Sequence, residues 1–285
     1  MAHRPYTVRK SCAAWLGVIL LLCTLLPSPT HAWGNNAQRL IVSRAVDTLP
    51  NDIRVFFDSQ RDFLIQHVND PLNQLDKQPN ERTNHFIELD KYGKFPFEAL
   101  PRDYKAAITK YSKSKIASTG LLPWQIGVYS AKLTEDMKAG RWEDAKLDAA
   151  FLANYVAEAH DPFNTTENFD GKLSGQSGVN DRFNTVLIDR FGSFFPLSPH
   201  DASYIHDPTD NAFEIALSAH SQVESILIDD RRAKRGQNSY NDEYYDRFYN
   251  LAAATLIRQL SEASTDVGSY WLTAWINAGK PSFPH

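Results

Sequence analysis

The sequence predicts an all-α fold, and three observations carry that prediction. Apolar residues recur at helical spacing wherever a period can be seen, no alternating run is long enough for a strand, and the helical stretches stop at Gly or Pro. The first helix carries Leu40, Ile41, Ala45 and Leu49 on one face. A second begins after Pro50, with Asn51 as its cap, and leads into Phe56, Phe57, Phe63 and Leu64. Leu121 to Ala139 forms another, ended by Gly140. Trp142 to His160 follows, with an apolar stripe of Leu147, Phe151, Leu152, Tyr155 and Val156, until Pro162 stops it. Further helices are expected at Val179 to Arg190, at Asn211 to Asp229 behind a Thr209/Asp210 cap, and at Tyr240 to Gly279 with breaks. The connections Asn69 to Asn84 and Gly192 to Asp210 are long and polar, and long loops in compact domains often carry function.

The chain opens with Arg4, Arg9 and Lys10, runs through the apolar stretch Ala13 to Leu26, and reaches Pro27, Pro29 and Thr30-His31-Ala32. That is the layout of a removable secretory signal, so residues 1–32 read as a signal peptide and 33–285 as one helical domain, secreted or periplasmic. Nothing after it approaches the ~20 apolar residues a membrane helix needs. Cys12 and Cys23 both fall inside the signal, which leaves the remaining chain no disulfide and no thiolate metal site. Loss of three basic residues takes the formal charge from -4 to -7. That acidic balance argues against nucleic acid as a partner.

Cleavage after Ala32 makes Trp33 the N-terminal residue, whose amine and carbonyl together can chelate a metal. Asp70 and His85 lie fifteen apart, Asn154 and Glu158 are one helical turn apart, and Asn180 and Asn184 repeat that spacing. Side chains at i and i+4 share a helix face and can point at one centre.

These stretches resemble the zinc-dependent phospholipase C and single-strand-specific zinc nuclease superfamily. The matching segments are Trp33-Gly34, Gln38 through Ala45, Asn84-His85-Phe86, Asn154 to Asn164, and Gly178 to Asn184. The resemblance implies a single-domain, multi-helix exported phosphodiesterase whose N-terminal Trp helps bind one of three zinc ions. It also implies a first zinc held by Asp70, His85, a His position filled here by Asn154, and an Asp position filled by Glu158. The second zinc would take two His and an acidic residue, where this chain has Asn164, Asn180 and Asn184. The third would take Trp33, the shared acid Glu158 and a His, where this chain has Gln38. Asp70 would stand near the attacking water as the catalytic residue.

Zinc favours imidazole nitrogen, thiolate and carboxylate, and a neutral amide oxygen is a weak substitute. The second site is therefore expected to be empty and the third to be weak. The first keeps Asp70, His85 and Glu158, with Asn154 as a weak fourth donor, and could hold a single zinc. A polynuclear site lowers the pKa of a bridging water and clamps phosphoryl oxygens, and both effects weaken with one metal or none. The expectation is a pseudoenzyme or binding protein of unknown partner. The competing expectation is an active phosphoric-ester hydrolase acting on a phosphoester small molecule or phospholipid head group. Asp70, Glu158 and the four asparagines also form an oxygen-rich set of the kind calcium or magnesium takes. The amides can equally form a hydrogen-bonded polar core with no metal, which is the favoured reading.

Other features have plainer readings. His160-Asp161, His200-Asp201 and His206-Asp207 read as polar residues of loops and helix ends, with His160 set apart because it neighbours Glu158. The basic groups Arg231, Arg232, Lys234 and Arg235 suit a helix C-terminus, and Lys105, Lys110, Lys113 and Lys115 a solvated helix face. Phe194, Phe195 and Tyr204 read as core cover, and His67 and His220 as packing or surface residues.

Overall fold

Helices and short helical turns are the only regular elements of the computed structural model among the residues it describes, 33–284 other than Asp76 and Pro79. The expected signal peptide, 1–32, lies outside them. The helices are α1 (Asn35–Asp47), α2 (Asn51–Ser59), α3 (Arg61–His67), α4 (Asp70–Asn73), α5 (Tyr104–Tyr111), α6 (Lys113–Ser118), α7 (Leu122–Lys138) and α8 (Trp142–Ala159). Then come α9 (Val179–Asp181), a π-turn (Arg182–Val186), α10 (Leu187–Phe191), α11 (Pro208–His220), α12 (Val223–Lys234) and α13 (Asp242–Asn277). None is long and apolar enough to cross a membrane.

The core forms where α7 and α8 pair as a hairpin and α13 lies across them and against α1 and α12. Trp33, Phe57, Tyr155, Phe183, Phe248, Tyr270 and Trp271 are among its largest fully buried side chains. Trp271 is fixed in this apolar setting because its indole N–H donates to the Ala149 carbonyl at 3.0 Å. A smaller apolar cluster of Ile87, Leu89, Tyr92, Phe97, Ile116, Trp124 and Phe213 gathers residues 87–116 against α7 and α11.

Several boundaries differ from the sequence expectation for identifiable reasons. Pro50, extended at φ -66° and ψ 153°, is the cap residue of α2, and Asn51 is already helical. The chain breaks again at Gln60, so Phe63 and Leu64 belong to α3. Asp207 caps α11 in place of Thr209 or Asp210, because Pro208 fixes the first turn and Asp207 Oδ1 accepts from the N–H groups of Thr209 and Asp210, both at 3.0 Å. The single helix expected from Asn211 to Asp229 is two, parted where His220 bonds Thr165 at 3.2 Å and meets the edge of Phe97. Conversely, α13 runs unbroken for 36 residues, about 54 Å at the α-helical rise.

The polar connection 192–207 is largely structural. Ser198, His200, Ser203 and Ile205 donate their backbone N–H groups to the hydroxyls of Ser261, Thr265, Ser269 and Thr273 on α13, at 3.2, 2.9, 3.0 and 2.8 Å. Those hydroxyls recur every four residues, about 6 Å along a helix, which the chain covers in two residues at the outer steps and three between His200 and Ser203. A side chain at Gly268 would meet Thr48 Oγ1 at 2.0 Å, so the α13 backbone can approach Thr48 closely only without one. Thr273→Val is expected to cost about 1–3 kcal/mol in chemical denaturation by stranding the buried Ile205 N–H, and Ser261→Ala, at the exposed end, less.

Asp136 and Asp148 form a buried carboxyl pair on the α7–α8 hairpin, with Lys132 Nζ 2.6 Å from Asp148 and Arg141 Nε 2.8 Å from Asp136. Burial and the hydrogen bond with Asp136 raise Asp148 to about 7 from 3.8, against the pull of Lys132. The folded state then holds a proton that the unfolded chain has released, so this pair's contribution to stability falls as pH rises from about 4 to about 7. Asp148→Asn is expected to flatten that slope when denaturation midpoints of the two proteins are compared across the interval.

Candidate functional site

The segment carrying His85 is held by backbone bonds before any side chain is considered. Leu121 N–H donates to the Thr83 carbonyl at 2.7 Å, Glu88 N–H to Thr119 at 2.8 Å and Ile87 N–H to Asn164 at 2.8 Å. Gly120, at φ +99°, makes this possible, since a Cβ there would sit 2.0 Å from the Phe86 carbonyl oxygen. The result places His85 against α8.

His85 lies between two carboxylates. Its Nδ1 is 2.5 Å from Glu158 Oε2, and its Nε2 is 3.2 Å from Glu81 Oε1, an ion-pair contact whose angles fall outside hydrogen-bond geometry. The Tyr155 hydroxyl donates to the same Glu81 oxygen. Burial alone would lower the imidazole pKa, but the charge and hydrogen bond of Glu158, together with Glu81, outweigh it and raise His85 to about 9. Burial pushes Glu158 up as well. The proton therefore stays with the pair, whichever atom carries it.

Asn154 and Glu158 are fully buried on one face of α8, as their spacing predicts. Asn164, on the turn after Pro162, donates its amide to the Glu158 carbonyl at 3.2 Å. Asn184 sits in the π-turn and donates to Asn180 Oδ1 at 2.9 Å and to Asp161 Oδ2 at 2.8 Å. Complete burial pushes Asp161 up to about 7, opposed by the Phe163 N–H and the Asn184 amide. Trp33 is fully buried, with its indole N–H on the Ala157 carbonyl at 2.7 Å, next to Glu158 in the chain. Gly34 N–H reaches the Asn184 carbonyl at 3.2 Å, and Gln38 follows one turn later on α1, also fully buried. Backbone and side-chain bonds thus tie the segments carrying Trp33, His85, Glu158, Asn164 and Asn184 to one another.

Asp70 has a different partner. It is half-exposed at the start of α4, and its Oδ2 is 2.7 Å from His67 Nδ1. Among the described residues no hydrogen bond or ion pair joins Asp70 to His85 or Glu158. Three participants escaped the sequence reading: Glu81, Asp161 and His67. Glu81 and His67 stand four and three residues before His85 and Asp70, the same helical spacing that singled out Asn154 and Glu158.

No protein-family model matches the chain, and no curated protein matches it in sequence.

The donor chemistry does not fit a polynuclear zinc centre. Of the residues placed around Glu158 above, His85 alone carries an imidazole, Glu81, Glu158 and Asp161 carry carboxyls, and Gln38, Asn154, Asn164, Asn180 and Asn184 are neutral amides. Among the described residues no group of three or more His, Cys, Asp or Glu is placed to hold a metal ion. Both ends of the Gln38 and Asn154 amides, Glu158 Oε1 and Asn184 Oδ1 are buried with no protein partner. Whatever completes the two amides must accept as well as donate, which water does and a metal ion does not.

Proposed function

We propose that the protein is an exported, divergent member of the zinc-dependent phospholipase C and nuclease superfamily, in which a hydrogen-bonded polar core replaces the zinc cluster. In this reading it works by binding rather than by hydrolysis. The observation that carries it is the set of neutral amides bonded around Glu158 and Asp161: Asn164 donates to the Glu158 carbonyl at 3.2 Å, and Asn184 donates to Asn180 Oδ1 and Asp161 Oδ2 at 2.9 and 2.8 Å. The amides at Gln38, Asn154, Asn164, Asn180 and Asn184 support the same reading, since they stand at positions the resemblance assigns to zinc ligands and cannot supply basic nitrogen. The loss of these donors removes the activated water and the phosphoryl clamp that hydrolysis requires.

One observation favours a second reading. Four buried oxygens, on Gln38, Asn154, Glu158 and Asn184, have no protein partner, and oxygen donors suit calcium or magnesium. The protein would then be a phosphodiesterase with a non-standard metal. Turnover of bis(p-nitrophenyl) phosphate and of phosphatidylcholine, with zinc, calcium or magnesium added, separates the two. The binding reading expects no turnover with any of them. Calcium- or magnesium-dependent turnover abolished by Glu158→Gln would establish the second.

A further inference from the structure

Charge is unevenly distributed over the chain. Residues 87–116, which the smaller apolar cluster gathers into one lobe against α7 and α11, hold seven basic and four acidic groups, a formal +3. The remainder of 33–285 carries -10. We propose, independently of the His85 centre, that this lobe docks the protein onto a bilayer surface rich in anionic phospholipid.

The acids of the lobe are largely engaged. Asp90 accepts from the Thr166 hydroxyl at 2.6 Å and from the Glu167 N–H at 3.0 Å, and Asp103 caps α5 through the Ala106 N–H at 2.7 Å. Burial raises the half-buried Glu88 carboxyl, and the charges of Lys91 and Lys115 oppose it. Glu98 is exposed. Two of the basic groups are neutralised at the lobe's edges, Lys91 by Glu167 and Arg102 by Asp210 and Glu214. Lys94, Lys105, Lys110, Lys113 and Lys115 have no carboxylate within ion-pair distance among the described residues.

On α5, Lys105, Ala106, Thr109 and Lys110 are exposed and fall within an arc of about 140° at the helical period. Tyr104, Ala107, Ile108 and Tyr111 fill the rest of the circle and pack on the apolar cluster. The turn 94–100 lies against the end of that helix, since Lys110 Nζ and the Tyr111 hydroxyl donate to the Ala99 carbonyl at 2.8 and 2.9 Å. Phe95, beside Lys94 in this turn, is 58% exposed, while Phe97 is buried and meets its ring edge-on at 5.8 Å. A phenyl ring held in water beside unpaired lysines gains twice at a bilayer interface, from its own burial and from the attraction of the lysines to anionic headgroups. The acidic remainder of the molecule is repelled by the same surface, which orients the approach lobe first. A nucleic acid would meet the same lysines, but Phe95 is one exposed ring, not the succession of aromatic faces on which single strands stack.

The test is cosedimentation of protein that begins at Trp33 with vesicles of phosphatidylcholine alone or with about one-third phosphatidylglycerol, at low salt and at about 0.5 M salt. Binding to the phosphatidylglycerol vesicles is expected to be tighter by about tenfold or more, and to be lost at the higher salt. Lys105→Glu with Lys113→Glu places acids in the first turns of α5 and α6, where the helix dipole favours them. That pair should weaken binding by about tenfold or more with the melting temperature unchanged. Arg39→Glu with Arg258→Glu makes the same change of charge at exposed positions outside the lobe, and should weaken it by less than about threefold. Phe95→Ala should weaken binding by about threefold or more, and Phe194→Ala, at a ring 78% exposed elsewhere, should leave it unchanged. Equal binding to both kinds of vesicle, equal loss in the two charge-reversed proteins, or full binding by the Phe95→Ala protein would each overturn the proposal. A single-stranded oligonucleotide bound as tightly as the anionic vesicles at the same salt would overturn it as well.

Discussion

Asp230→Asn is expected to lower the stability of the fold by about 3–5 kcal/mol, the cost of breaking a buried ion pair from one side. Arg182 and Asp230 are both almost fully buried. Asp230 Oδ1 accepts from Arg182 Nε at 3.1 Å, Arg182 Nη2 at 3.0 Å and the Tyr244 hydroxyl at 2.5 Å, while Oδ2 accepts from Gln176 Nε2 at 2.6 Å. Two further guanidinium hydrogens go to the Ser177 and Gln176 carbonyls, and Tyr240 lies over the guanidinium at 3.9 Å. One carboxylate thus joins the start of the π-turn to α12 and α13. Asparagine removes the charge and turns an N–H group toward other donors. Arginine cannot shed its proton, so the strain has no titration by which to relax. Replacing Arg182 and Asp230 together by leucine should recover most of the loss, since an apolar pair in the same volume carries no stranded charge. A loss below about 1 kcal/mol for Asp230→Asn in urea denaturation would contradict the packing described here.

The His85 pair responds differently because it can titrate. Its folded pKa is raised to about 9 from 6.5, so the folded state keeps a proton through an interval in which the unfolded chain loses it. The stability it contributes is present in full below about pH 6.5 and is lost as pH rises toward 9, a total of about 3 kcal/mol. Glu158→Gln should remove most of that slope, leaving only the part owed to Glu81. At pH 7 the same substitution should cost about 2–3 kcal/mol, less than Asp230→Asn, because a histidine that loses its partner can become neutral. Denaturation midpoints between pH 6 and 9 for the two proteins check this. A native profile that is flat or rising over that interval would mean that the proton is not held at His85 and Glu158.

Local signals were legible wherever one helix settled its own boundaries. Trp142 to Ala159 follows from its stripe and from Pro162, and the convergence of Asn154 and Glu158 follows from their spacing. The break at Ser221 was not legible, because His220 leaves the pattern to bond a residue 55 positions away. Nor was the role of 198–205, since its partners are hydroxyls on a helix that begins forty residues later. The four-residue recurrence of Ser261, Thr265, Ser269 and Thr273 was the available clue. Glu81 was hidden for a similar reason: a lone glutamate before a histidine reads as solvated until Tyr155 and His85 are seen to enclose it. Asp70, which the resemblance assigns to the first zinc, is paired with His67, which reads in the sequence as a packing or surface residue.

Zinc stoichiometry is the most direct test of the central claim, measured by mass spectrometry of metals on protein that begins at Trp33, after exposure to excess zinc and exhaustive dialysis. Replacement of the cluster by a polar core predicts well below one zinc per chain, together with no phosphodiester turnover. Two or more tightly held zinc ions per chain, with turnover, would contradict it.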